Sequence, residues 1–267
     1  MFCLITDRGS MERLQNPVGK ICAEAVIHER KRMLKRINAY FSKGDITLWF
    51  TSVMLVAISF LLFDRENYLT LTASLIGVTS LIFNAKGNPV GQLLMIVFSL
   101  IYGMISFSFS YYGEMITYIG MTMPMAVIAF ISWLRNPFNG SRSEVKVGRI
   151  SKAEIIFMLL LTVIVTVLFY YILRHFHTAN LLPSTLSVTT SFIAVYLTFR
   201  RIPFFAVAYA ANDIVLMILW SLASIEDIHY ISVLVCFTVF LFNDLYGFRC
   251  WQKMKNKQAE QCVNEIV

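Results

Sequence analysis

Charge is what this chain has least of. Asp, Glu, Lys and Arg make up 15% of its 267 residues, while 57% are hydrophobic. An ordinary soluble domain carries roughly a quarter charged residues. A soluble fold of this length has too little interior to hide that much apolar surface, so lipid must solvate it. The signatures of common catalytic sites are also missing. There is no Gly-x-x-x-x-Gly-Lys loop to cradle phosphates, no Gly-x-Ser-x-Gly turn and no His-Glu-x-x-His helix. Asp213 and Asp244 sit in apolar runs, as in intramembrane aspartyl proteases, but the Tyr-Asp and Gly-x-Gly-Asp elements of that chemistry are lacking. Cys3, Cys22, Cys236, Cys250 and Cys262 show no zinc or redox spacing. Cys236, inside an apolar run, reads as a packing residue. His175 and His177 flank Phe176 without a third ligand. The expectation is no metal, no cofactor and no enzyme. No signal peptide is expected either, since the apolar stretch Phe2–Ile5 is too short.

What is present is a series of long apolar runs. A membrane-spanning helix needs about 20 mostly apolar residues, and eight candidates occur, at 46–63, 68–84, 91–110, 115–134, 155–173, 184–199, 204–224 and 231–248. The runs are continuously apolar, whereas barrel strands would be shorter and alternate in polarity. A helix also satisfies its own backbone in lipid. The net charge of +7 could suit nucleic acid, but the basic residues lie between the apolar runs, without an aromatic platform for bases. They read as topology signals and contacts to anionic lipid, so no nucleic-acid partner is expected. With the N-terminus inside, every Lys and Arg except Arg65 and Arg174 falls on the cytoplasmic side. The outer turns carry Asp64, Glu66, Glu114, Glu226 and Asp227. An even number of spans and cytoplasmic ends follow. The expected layout is a basic cytoplasmic tail over 1–44, a transmembrane domain over 45–252 and a cytoplasmic tail over 253–267. Arg30, Lys31, Arg32, Lys35 and Arg36 cluster in the first tail, where Met33 is a second candidate start.

A weak internal repeat is visible. Ser74-Leu75-Ile76-Gly77-Val78 is similar to Ser191-Phe192-Ile193-Ala194-Val195, and a short turn with Pro89 or Pro203 follows each. Two three-helix units, about 68–134 and 184–249, joined by the single helix 155–173 and preceded by an extra first helix, account for this. Repeats of this kind are common in transporters, with the substrate between them. Chance similarity among apolar helices is the competing account.

Polar groups are expensive in lipid, which makes intramembrane ones the candidate site. Asn212 with Asp213, and Asn243 with Asp244, could line a polar cavity; the alternative is hydrogen bonding between the last two helices. Tyr209, one turn from Asp213 on the same face, is the first candidate to stack on a planar ring, ahead of Trp220 and Tyr246. Trp133 and Trp251 fit an interfacial belt. Thr189, Thr190 and Ser191 fall in mid-span, where hydroxyls can also bond back to their own helix. Pro124 can kink the fourth helix, and Glu114 can cap it.

Together these residues resemble a known family, the PnuC nicotinamide riboside transporters and their relatives for other vitamins and nucleosides. The resemblance covers about residues 70–252. It rests on Ala85-Lys86-Gly87, Tyr111-Tyr112-Gly113-Glu114, Pro124 and Trp133, then Ser191, Ala194, Leu197 and Arg201, and lastly Asn243-Asp244-Leu245-Tyr246-Gly247 through Trp251. It implies an all-α integral membrane fold with a 3+1+3 helix core related to the SWEET sugar transporters, plus the leading helix. It also implies facilitated diffusion of a riboside-like solute at the cell membrane, trapping by a cytoplasmic kinase, and a homotrimer. The substrate-binding residues expected are Tyr118, Thr190, Tyr209, Asn212, Asp213, Asn243 and Tyr246. Four positions depart from the family pattern. Its Trp-x-x-Trp is Ala206 and Tyr209 here, an Asn of the fourth helix is Tyr118, and a Gln after the proline is Ala126. Nicotinamide riboside is therefore the default passenger. A deoxynucleoside, thiamine or riboflavin is the rival, and a receptor that binds without transporting is the remaining alternative.

Overall fold

The computed structural model describes residues 40–108, 112–178 and 180–264. Cys3, Cys22, the basic cluster with Met33, and Tyr111 lie outside the described residues. By packing, the chain divides into two units, Met1–Leu48 and Trp49–Val267. The described part of the first unit opens helix α1 (Lys43–Phe63). Ser42 and Asp45 cap that helix reciprocally. The Ser42 amide donates to Asp45 Oδ2 at 2.7 Å, and the Asp45 amide donates to Ser42 Oγ at 3.2 Å.

After α1 come α2 (Tyr68–Ala85), α3 (Pro89–Ser108), α4 (Tyr112–Arg135), α5 (Lys152–His175), α6 (Leu181–Phe199), α7 (Phe205–Glu226) and α8 (Ile231–Asn264). These eight helices are long and apolar enough to cross a membrane, one for each run read from the sequence. Two features are new. The loop between α4 and α5 contains an antiparallel hairpin, β1 (Pro137–Phe138) with β2 (Ser141–Val145). And α8 continues well past its apolar part. Its Gln258 holds the hairpin, accepting from the Val147 amide at 2.9 Å and donating to the Val145 carbonyl at 3.0 Å.

Six helices of the second unit close a ring, with α2 on α3, α3 on α4, α4 on α6, α6 on α7, α7 on α8, and α8 back on α2. Helix α5 packs on α6 from outside. Only 17% of its apolar stretch is buried, against 56% for α2 and α6, so Phe157, Leu160, Val163 and Ile164 face lipid. Small residues let the ring close. A methyl group at Gly77 of α2 would run into the Phe240 ring of α8.

Helices α2 and α6 end alike. Gly87, at φ +65°, donates to the Asn84 carbonyl, and Asn88 donates to Phe83; Arg201, at φ +60°, donates to Thr198, and Ile202 donates to Leu197. Glycine takes this left-handed turn freely, whereas arginine pays a steric cost there. Each ending is then tied to the opposite half of the ring. Trp251 of α8 donates its indole N–H to the Asn84 carbonyl at 2.7 Å, and Trp133 of α4 donates to the Thr198 carbonyl at 2.9 Å. The two indoles meet with centroids 5.4 Å apart. These tryptophans are fully buried. Their belt-like sequence positions correspond to a knot at one end of the ring, not to a lipid interface.

Candidate functional site

The ring encloses a cavity of about 30 Å³. Tyr118 and Thr122 of α4, Ser191 of α6, Tyr209, Asn212 and Asp213 of α7, and Asp244 of α8 supply its polar lining. Leu81, Met95, Phe98, Phe237 and Phe240 supply the apolar walls. That volume suits one or two waters, so an organic solute needs the ring to open. Aromatic layers close both ends. Toward Glu114, Tyr102 lies 4.4 Å from Tyr118 and 6.4 Å from Trp220, centroid to centroid. Toward the other end, Phe205 lies 6.3 Å from Tyr209 and 5.0 Å from Trp251.

Asn212 is the best-determined member. Its Oδ1 accepts from three hydroxyls of α6: Ser187 at 3.2 Å, Thr190 at 2.9 Å and Ser191 at 3.0 Å. Three hydroxyls thus hold one end of the amide against α6, and Asn212 also lines the cavity. The triplet of mid-span hydroxyls divides between two neighbours. Thr190 and Ser191 serve α7, while Thr189 shares a 2.9 Å hydrogen bond with Thr166 of α5.

Asp213 and Asp244 come within hydrogen-bonding reach of each other across α7 and α8. A carboxyl-to-carboxyl hydrogen bond needs a proton on one partner, because an ionised carboxylate only accepts. Asp213 Oδ2 is buried without a hydrogen-bond partner among the described residues. Among the described residues, no Lys, Arg or His lines the cavity. The site therefore offers acidic oxygens, one amide donor and aromatic faces.

On α4, a π-helical turn over Tyr118–Thr122 precedes Pro124. The proline has no amide hydrogen to continue the α-helical pattern, and the Met123 amide instead reaches the Tyr118 carbonyl. Turns of this kind often mark functional sites, and here the turn carries both cavity-lining residues of α4. The sequence pointed to a perturbation at Pro124, but Thr122 was missed.

Of the seven expected binding residues, Tyr118, Tyr209, Asn212 and Asp213 line the cavity, and Thr190 bonds to one of them. Asn243 and Tyr246 do not line it. Asn243 spends its Nδ2 on Ser52 Oγ of α1 at 2.9 Å and on the Val239 carbonyl at 2.8 Å. Its neighbour Asp244 lines the cavity instead. Turned about 100° from Asp244 on the helix, the Asn243 side chain meets α1. Glu114, expected as a cap, is buried in the first turn of α4.

Three comparisons agree with this architecture. The model of a family described as nicotinamide mononucleotide transporter matches residues 67–253. A nicotinamide riboside transporter PnuC from Neisseria mucosa is 22% identical over 203 residues, covering 74% of this chain and 77% of that protein. A crystal structure of the vitamin B3 transporter PnuC superposes with a TM-score of 0.71 at 20% identity, covering 82% of this chain and 94% of that one. The matched span takes in α2 through most of α8, with the ring and its cavity, and this multi-pass membrane protein belongs to the nicotinamide mononucleotide transporter family.

Proposed function

We propose that this chain takes up nicotinamide riboside, or a vitamin of similar size and charge, through the cavity of the six-helix ring. The observation that carries the reading is the lining. Two carboxyls and an oriented amide stand among aromatic faces, without a basic side chain. The pyridinium ring of nicotinamide riboside bears a fixed positive charge, which Asp213 and Asp244 suit, and Tyr209 and Tyr118 offer faces for stacking and cation–π contact. A phosphate group would meet two carboxyls and no basic side chain among the lining residues, so the lining favours the riboside over the mononucleotide. The same logic ranks thiamine, also a heteroaromatic cation, above riboflavin and the deoxynucleosides. Tyr118, Tyr209, Asn212 and Asp213 contact the passenger in this reading, and Thr190 holds Asn212. Asn243 ties α8 to α1.

Translocation is by facilitated diffusion, with a cytoplasmic kinase trapping the product. The ring's two-fold pattern of contacts supports a 3+1+3 grouping, α2–α4 and α6–α8 with α5 between. The distribution of basic residues supports cytoplasmic ends at the cell membrane, and the family resemblance suggests a homotrimer. Counterflow in proteoliposomes tests the reading, with labelled nicotinamide riboside, thiamine, riboflavin and thymidine compared. Saturable exchange of one of the two cations is expected. Binding without exchange would favour the receptor alternative, and exchange of thymidine alone would overturn the charge argument.

A further inference from the structure

A second polar cluster lies outside the cavity, at the end of the ring that the basic-residue distribution assigns to the outside. Glu114 is 2% exposed, and its Oε2 has no hydrogen-bond partner among the described residues. Ser99 and Ser106 of α3 are fully buried, and their hydroxyls also lack partners there. Ser99, Tyr102 and Ser106 recur at helical spacing, so they share one face of α3. The Tyr102 and Tyr118 hydroxyls lie within electrostatic reach of the Glu114 carboxyl, and Tyr118 lines the cavity. The Thr178 hydroxyl, which has no partner among the described residues, stands against Gly113 beside Glu114.

A buried polar atom normally finds a partner, and each exception asks for a ligand, a water or a strain account. Here two exceptions mark a seam: Glu114 lies within electrostatic reach of Tyr102, whose ring meets that of Tyr118 on the cavity wall. An interhelical clamp would use these groups on one another. A buried carboxyl without a basic neighbour is instead costly unless a cation visits it.

From this seam we infer that Glu114 is an outer station for cations. A positively charged solute pauses there before passing Tyr102 and Tyr118 into the cavity. The role of the station rests on the transport reading, but its existence does not. The test uses the full chain in proteoliposomes, treated with a water-soluble carbodiimide and an amine, with modification of Glu114 read by mass spectrometry. The 1-methylnicotinamide cation, methylated on the ring nitrogen, and nicotinamide, its neutral counterpart, serve as probes. Glu114 should be modified, and the cation at ten times its half-protecting concentration should slow the reaction about tenfold by simple mass action. Nicotinamide at the same concentration should leave the rate unchanged. No modification, or equal effects of the two probes, would overturn the inference. Protection without counterflow would sink the transport reading alone, and counterflow without protection would sink the outer station alone.

Discussion

Helix pairs α2–α3 and α6–α7 occupy matching places in the ring, yet they use their polar residues in opposite ways. In α2–α3 the amides consume each other. Gln92 donates to Asn84 Oδ1 at 2.8 Å, Asn84 donates to Ser80 Oγ at 3.3 Å, and Ser80 donates to the Gly91 carbonyl at 2.9 Å. In α6–α7 the hydroxyls of α6 converge on one face of Asn212, and its other face, with Asp213, is left to the cavity. A closed network serves packing, while in the proposed reading the open side of the second network serves a passenger. The difference lies in where the bonds end, since both pairs contain buried amides and hydroxyls.

Substitutions can break this contrast. The largest effect is expected for Asp213→Ala. Losing a buried charged partner of the substrate commonly costs about 2–5 kcal/mol, so uptake should fall by well over tenfold while the protein still folds. An uptake rate near wild type would remove Asp213 from the site. Asn84→Ala should do the reverse. It leaves the Gln92 donor without its acceptor, costing about 1–3 kcal/mol of stability, seen as a lower melting temperature in detergent, with substrate affinity unchanged. A shift in affinity without loss of stability would reverse the assignment of the two networks.

Trp133→Phe and Trp251→Phe each delete one indole-to-carbonyl bond, worth about 1 kcal/mol. If the halves of the ring are equivalent at this end, the two variants should lose similar melting temperature. A loss confined to one would show that the knot is lopsided. The smallest effect is expected at Tyr209. Tyr209→Phe keeps the ring face and should change affinity less than about threefold, or under about 0.7 kcal/mol, whereas Tyr209→Ala should weaken binding far more. Equal, small effects in a titration would make Tyr209 a packing residue.

The fold was largely legible in the sequence, because lipid forces apolar runs of a set length and the eight spans announce themselves by composition. The pentapeptides suggested one register for a repeat, and the helix endings suggest another. The helix endings pair Gly87 with Arg201 and Pro89 with Pro203, whereas the pentapeptides pair Ser74 with Ser191, most of a turn out of step. Apolar helices look alike over five residues; the left-handed residue that ends them is the sharper marker. The site was half legible. Asp213 and Tyr209 share a helical face, and that spacing led to the cavity. Asn243 and Asp244 are neighbours, and sequence could not say which of them faces inward. The hairpin was missed because β1 is two residues long and β2 is mostly polar, and β2 is held by Gln258 from the far end of the chain.

The central claim is that the acidic, amide-lined cavity carries a cationic vitamin across the membrane. The most direct test is counterflow of labelled nicotinamide riboside and of thiamine in proteoliposomes, with wild type and Asp213→Ala side by side. Saturable exchange of at least one of these cations in the wild type, lost in the variant, is the predicted result. Equal exchange by both proteins would contradict it.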